Sequence, residues 1–354
     1  MLYLTISLVS LVLVLLIYNF KKKLYFLNES PKKDLRKLHG KDVTRVGGII
    51  FFSNLIIYLY TTDIYLQSIL LFGFFILILG LSEDIVKNIS KYFRLLILFS
   101  LCTIFIDIND FVIIDFNNYF LNYFFGTYTT LSLFFSIFGL IILINGFNFI
   151  DGLNGLLLGI AILILITFTI YSLNNPSGIS SIFIAILIPI IILFFINLFG
   201  GVVLAGDGGS YFLGFIIGAI SILVSNYGVL SSFEIACIIF YPVMEFVCSV
   251  MRRLISFSNP LKPDGLHLHQ LLFRIVFHKL KNKSPFFTVK NINSLSSLVI
   301  IISIALLIIA HYHFKTVIGD TVIFTLFCLL YLLVYNILIS ISYKNNLLIE
   351  EFSE

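Results

Sequence analysis

Long apolar runs alternate with short polar breaks along almost the whole chain. Runs approaching the roughly 20 residues that a helix needs to cross a hydrocarbon core fall at 2–20, 46–61, 64–82, 93–108, 129–146, 156–173, 179–198, 211–227, 232–251, 294–312 and 318–342. The pattern predicts about eleven membrane-spanning helices, an all-α polytopic architecture. The run at 46–61 is the weakest, because Gly47 and Gly48 open it and Ser53 and Asn54 interrupt it. Between the fourth and fifth runs, the alternation over 111–117 predicts a short hairpin at the outer interface, where aromatic side chains prefer to sit. Residues 174–178 read as a plain turn on the same side. No inverted repeat or heptad pattern is apparent.

Composition strengthens this picture. Of 354 residues, 60% are hydrophobic and only 11% are charged, too little polar surface for a water-soluble fold. The four cysteines, Cys102, Cys237, Cys248 and Cys328, lie inside apolar runs without metal-ligand spacing and read as small buried hydrophobes. The first run lacks the cationic segment that precedes a cleaved signal core, so it is expected to be a retained span.

Charge sets the orientation. All but one of the 22 lysines and arginines fall in alternate loops: Lys21 to Arg45, Lys87 to Arg94, Arg252 to Lys290, and Lys344 in the tail; Lys315 is the exception. By the positive-inside rule the N-terminus is outside and the C-terminus cytoplasmic, an assignment that any miscounted helix would scramble. The net charge of +4 is modest and gives no reason to expect a nucleic-acid partner.

Five polar clusters fall on the cytoplasmic side. His39 to Gly48 contains Arg45 before Gly47 and Gly48; it reads either as a basic juxtamembrane loop or as a phosphate contact at a helix N-terminus. Glu83 and Asp84 end the third run, followed by Lys87; acids there oppose the helix dipole, which favours a functional reading over a solvated terminus. Asn145, Asn148 and Asp151 recur at three-residue spacing, which places them along one helical face beside Gly146, Gly152 and Gly155. Amides between membrane helices also serve as packing contacts. Asp207 stands between glycines at 206, 208 and 209, either as a hard-cation ligand, with Mg²⁺ the natural ion beside phosphates, or as part of a tight turn. Finally, Asp264 precedes His267 and His269, which share a side of an extended segment; with no cysteine near, they suit anion contact better than zinc, flanked by Arg252, Arg253 and Arg274.

Together, Asn145-x-x-Asn148-x-x-Asp151-Gly152-x-x-Gly155-Leu156, Gly206-Asp207-x-Gly209-Ser210 and Pro263-Asp264-x-x-His267-x-His269 resemble the signatures of the polyprenyl-phosphate N-acetylhexosamine-1-phosphate transferases, glycosyltransferase family 4. The Arg45-x-Gly47-Gly48 element and the Glu83-Asp84 pair fall in matching order, so the resemblance covers about residues 36–275 of one integral membrane domain spanning 1–354, and the last two runs lie beyond it.

The resemblance implies transfer of a GlcNAc-1-phosphate-type group from a UDP-sugar, a UDP-N-acetylhexosamine, to undecaprenyl phosphate. UMP is released at the cytoplasmic face of a bacterial inner membrane, as the initiating step of a cell-surface glycan. It implies Mg²⁺, with Mn²⁺ as a substitute, held by Asp207. Asp84 would lie near the lipid phosphate or act as base. Asn145, Asn148 and Asp151 would hold the nucleotide sugar, His267 and His269 would meet the diphosphate, and Lys87 a phosphate. Three positions depart from the pattern: Glu83 replaces an aspartate, Thr44 a proline and Gln270 a histidine. A muramyl-pentapeptide transferase of the same family is the alternative, a transporter the alternative outside the enzyme class, and a homodimer is left open.

Overall fold

A computed structural model describes residues 2–20, 28–29, 43–45, 47–59, 65–86, 89–173, 179–201, 203–257, 265–281, 283–284 and 286–347. Lys87, Asp264, His39 and the turn expected at 174–178 lie outside them. Every apolar run becomes helix: α1 (Leu2–Phe20), α2 (Gly47–Leu59), α3 (Tyr65–Val86), α4 (Lys91–Asn109), α6 (Thr129–Ile150), α7 (Leu156–Ser172), α8 (Ser180–Gly200), α9 (Gly206–Asn226), α10 and α11 (Ser232–Ile238 and Phe240–Ile255), α13 (Val289–Ile318) and α14 (Asp320–Lys344). Among the described residues, seven helices are long and apolar enough to span a bilayer, and an eighth if α10 and α11, bent by 82°, are one broken span. The protein is thus a helical, polytopic membrane protein. Two helices, α2 at 13 residues and α7 at 17, are shorter than a full span.

Three elements escape the apolar pattern. A short helix, α5 (Tyr119–Thr127), follows an irregular stretch where a hairpin was expected, and α12 (Leu268–Leu280) begins at the histidines. No partner strand is needed at 111–117, because side chains take its backbone donors. Ser136 accepts from the Ile113 N–H at 2.8 Å, Asn122 from Phe116 at 2.7 Å, and Asp115 from Asn117 at 3.0 Å. A small sheet also forms, with β2 (Val43–Arg45) antiparallel to β1 (Asn28–Glu29) and parallel to β3 (Val203–Leu204). Its pairing of Arg45 with Leu204 brings the segment before α2 beside the segment before α9.

The molecule is built around α9. Each of its residues from Gly206 to Ser225 is buried except Asp207, and α2, α3 and α6 pack against it. In lipid, helices associate through close packing of small residues rather than through the hydrophobic effect, and glycine marks each of these crossings. A Cβ at Gly80 would lie 2.5 Å from the Asp207 carbonyl oxygen, one at Gly48 2.7 Å from the Gly209 nitrogen, and one at Gly214 2.7 Å from the Ile144 Cα. The outer helices α13 and α14 instead present exposed apolar side chains such as Ile302, Leu306, Leu329 and Leu333.

Candidate functional site

Helix ends bring the polar clusters together. The end of α3, the turn after α6, the strand before α2 and the start of α9 meet at one place. Gly206 adopts a left-handed φ of +73° that turns the chain from β3 into α9; a side chain there would meet Arg45 Cβ at 2.7 Å and Asp84 Oδ2 at 2.9 Å. The sequence left Asp207 in a flexible glycine loop. Instead, Gly206 to Gly209 form the first turn of α9, and Gly208 and Gly209 are small because Leu81 and Gly48 press against them.

A helix start leaves backbone N–H groups without partners inside the helix. Here two carboxylates take them. Asp84 accepts from the N–H of Asp207 at 3.3 Å and of Gly208 at 3.1 Å, and Asp151 accepts from the N–H of Gly206 at 3.1 Å. Arg45 Nη1 donates to Asp84 at 2.7 Å and stands 3.8 Å from Asp207 Oδ2. Asn148 donates to Asp207 Oδ1 at 2.8 Å and to Ser210 Oγ at 3.1 Å. The Asp84 side chain is fully enclosed, whereas 29% of the Asp207 side chain is exposed. Asp207 is therefore the open carboxylate of the group, while Asp84 and Asp151 are occupied by the backbone that carries it. Burial pushes the Asp151 carboxyl up to about 7; Arg45 pulls it down and Asp207 raises it further.

Other expected residues take different places. Glu83 points away from Asp84, as adjacent helical positions must. It receives Arg94 Nη1 at 3.0 Å and the Tyr211 hydroxyl at 3.0 Å, tying α3 to α4 and α9. Asn145 is buried and donates to its own helix at Ile141 O, 2.8 Å away, so it does not join Asn148 and Asp151. Three-residue steps rotate by roughly 60° on a 3.6-residue helix, which carries Asn145 about 120° from Asp151 and off the shared face. Gly47 and Gly48 are buried against Ala205 and Gly209, so close packing occupies the positions expected to admit a phosphate.

The histidines form a second group beside the first. His267 is the N-cap residue of α12 and His269 lies in its first turn; their rings stack at 5.6 Å. A Cβ at Gly152 would lie 2.7 Å from His269 Nε2, so this pair abuts the residue following Asp151. Burial pushes the His269 imidazole below its ordinary value, and Glu245 pulls it back up. Of the three arginines expected to flank the pair, Arg253 is closest in role: it stacks over Phe149 at 5.6 Å, and Phe149 contacts the His267 ring at 5.0 Å. Arg252 instead donates to the Tyr335 hydroxyl at 2.7 Å and Arg274 to the Leu347 carbonyl at 3.3 Å, both outside this group.

Sequence reasoning missed three supports. Glu245, on α11, faces both histidines; its signal was a lone acid inside an apolar run, the same signal that drew attention to Asp151. Asn197, near the end of α8, accepts from the Gly155 N–H and donates to the Val203 carbonyl, joining the turn after α6 to β3. Asn293 accepts from the Asn154 N–H at 2.6 Å and holds the same turn from α13.

Comparison with known proteins follows the same residues. The family model described as glycosyl transferase family 4 matches residues 66–225, from α3 through α9. The undecaprenyl-phosphate alpha-N-acetylglucosaminyl 1-phosphate transferase of Thermotoga maritima is 28% identical over 283 residues, covering 76% of this chain and 80% of the relative. The probable undecaprenyl-phosphate N-acetylglucosaminyl 1-phosphate transferase of Bacillus subtilis is 25% identical over 278 residues, 75% of each chain. A Yersinia pestis protein with the same name as the Thermotoga relative is 34% identical over 146 residues, covering 38% of this chain and 39% of its own. The matched stretch takes in Asp84, Asn148, Asp151 and Asp207, the side chains that meet at the start of α9, so the part of the chain that builds this site is similar to glycosyl transferase family 4.

Proposed function

We propose that the protein transfers an N-acetylhexosamine 1-phosphate of the GlcNAc type from its UDP derivative to undecaprenyl phosphate, releasing UMP on the cytoplasmic face of a bacterial inner membrane. The carrying observation is the one break in burial along α9 between Gly206 and Ser225: Asp207 is partly exposed, set between Arg45 and Asn148 at the joint of four element ends. The relatives' names supply the substrate classes. A site made from helix ends also differs from the midplane site on broken helices that a transporter needs.

The donor set fits magnesium. Among the described residues no three His, Cys, Asp or Glu side chains gather to hold a metal. An ion that keeps its waters and takes one or two carboxylates plus phosphate oxygens needs no such cage. Asp207 would hold it, with Mn²⁺ as the substitute. When bound, the cation offsets the repulsion between the two phosphates being joined. The chain's own side chains do the rest. Arg45 contributes fixed positive charge, Asn148 fixes the Asp207 rotamer, and Asp84 and Asp151 hold the backbone beneath it. The acceptor phosphate has a second pKa of about 6 and is largely ionised at neutral pH, so positioning matters more than a general base.

Purified protein given undecaprenyl phosphate and a panel of UDP-sugars should release UMP with UDP-GlcNAc when Mg²⁺ is present. Asp207→Asn should abolish that release. Unchanged turnover in the variant would sink the assignment of Asp207, and absence of UMP from every donor would sink the reaction.

A further inference from the structure

Glu245 lies on α11, past the bend that separates it from α10, in the otherwise apolar stretch Phe240 to Cys248. It is 1% exposed. A carboxylate in that position costs free energy unless it is paired, and Glu245 faces the two histidines. Glu245 Oε2 is 3.1 Å from His267 Nδ1, and Oε1 is 3.6 Å from His269 Nδ1. The Tyr241 hydroxyl, one turn earlier on the same helix, donates to Oε1 at 2.9 Å. Both carboxylate oxygens are thereby engaged and the side chain has one orientation.

The two histidines need such a support. His269 is fully buried, and its Nε2 faces the Gly152 backbone next to Asp151. His267 sits at the mouth of α12, its ring between Phe149 on one side and the His269 ring on the other. Packing fixes the plane of each ring but leaves undecided which nitrogen points where. For His267 a carboxylate on Nδ1 decides it, since Nδ1 becomes the donor to Glu245 and the Nε2 edge is turned away from it; His269, whose Nδ1 is 3.6 Å from Glu245 and beyond hydrogen-bond distance, is oriented by that charge and by stacking on the His267 ring. Arg253 adds its charge across Phe149. The anchor is a rigid one, since α11 packs directly on α6, where a Cβ at Gly146 would lie 2.4 Å from the Pro242 carbonyl oxygen. Asp151 follows the end of α6, so one helix contact sets the distance between the carboxylate group at α9 and the histidine group at α12.

We propose that Glu245 is the positioning residue of the histidine pair, fixing the Nδ1-donor form of His267 and the ring orientation of both histidines toward the site at Asp151. Its activity readout rests on the transferase reading above; its spectroscopic readout does not. Losing an outer-shell partner of this kind costs about 10- to 100-fold in activity.

The test uses full-length protein in lipid nanodiscs, uniformly ¹⁵N-labelled at histidine, with His267→Asn and His269→Asn identifying the signals. In the parent protein the His267 Nδ1 signal should carry the proton and the signature of a hydrogen bond to carboxylate. Glu245→Gln should remove that signature, and UMP release should fall about tenfold or more. Glu245→Asp, which keeps the charge, should restore the signature and part of the rate even if Glu245→Gln proves poorly folded. An unchanged His267 signal in Glu245→Gln overturns the proposal whether or not the protein turns over UDP-sugars. A lost signature with full UMP release overturns the positioning role in the reaction and leaves the reaction itself intact. No UMP from the parent protein, with the signature still dependent on Glu245, would instead remove the transferase reading and retain the positioning of the rings.

Discussion

Asp84 and Asp207 are both acids of the same site, yet they are placed for different work, and substitution should separate them. The Asp84 side chain has no exposed surface and spends both oxygens on Arg45 and on the first N–H groups of α9. Asp84→Ala would leave those buried donors unmatched, at about 1–3 kcal/mol for each unsatisfied group, so thermal stability should fall along with activity. Asp207→Asn keeps the shape and removes only the accessible charge; its melting temperature should stay near the parent value while UMP release is lost. Similar melting temperatures for both variants would contradict the division of labour. Asp151 gives a pH signature. Its carboxyl is raised to about 7 in the fold, against about 3.9 in an unfolded chain. Between those values the folded state binds more protons than the unfolded one, so this residue's contribution to stability is full below about pH 4, declines as pH rises and is gone above about 7. Without added divalent cation, Asp151→Asn should flatten the fall in melting temperature between pH 5 and 7; a parallel shift of the whole curve would exclude Asp151 as its source. At this scale the sequence showed which acids were out of place, because an acid in an apolar run is conspicuous. It could not show that Asp84 caps a helix 120 residues away, nor that Glu245 answers His267, because those pairings exist only after α3 meets α9 and α11 meets α12.

Elements meet here through glycine, and the contacts are backbone on backbone. Gly80 rides over the Asp207 carbonyl oxygen, and Gly48 over the Gly209 nitrogen. At Gly80 the three nearest atoms are all backbone, and at Gly48 moving the Leu77 side chain aside would still leave the Gly209 nitrogen 2.7 Å away. Gly80→Ala should therefore push α3 from α9 and draw Asp84 off the N–H groups it caps, costing roughly 1–3 kcal/mol of stability as overpacking does and reducing UMP release. Gly126→Ala, where nothing lies within 4 Å of the added carbon, is the matched control and should change neither. A Gly80→Ala protein as stable and active as that control would show that the crossing tolerates separation. Helices were readable from the apolar runs because in lipid each backbone must satisfy itself within its own helix. That rule is silent where the chain leaves the hydrocarbon. The short strands β1 to β3, the irregular stretch at 111–117 and the amphipathic α12 depend on partners far away in the chain, such as Leu204 for Arg45 and Ser136 for Ile113.

At the scale of the whole molecule the question is whether the short helices α2 and α7 cross the membrane. Seventeen residues of α7 rise only about 25 Å, against a hydrocarbon core of about 30 Å, and length alone leaves it undecided. The connections at the site decide more. The start of α7 touches the end of α8 through Gly155 and Asn197, and α8 is long enough to span. If α8 crosses and returns to where α7 began, α7 must cross as well. The same circuit holds for α2 and α3: α2 starts against Gly209 and α3 ends against Asp207, and α3 is long enough to span. Two closed circuits of this kind would leave the polar site on one face and have both short helices traverse, ten spans in all with the seven long helices and the bent pair; the expected eleven needs α1 as well. From Tyr119, α6 reaches the site face, α7 and α8 return to it, α9 leaves it, and the bent pair comes back to Phe257. Tyr119 and Phe257 would then lie on opposite sides, and the positive-inside rule predicts that Phe257 is on the cytoplasmic one. Both residues are highly exposed, at 90% and 100%. In a cysteine-free background, Tyr119→Cys should react with a membrane-impermeant maleimide on intact cells. Phe257→Cys should react only after the membrane is opened. Labelling of both on intact cells would break the circuit through α7 and α8 or through the bent pair, and the reverse pattern would place the site on the outer face, out of reach of a cytoplasmic nucleotide sugar.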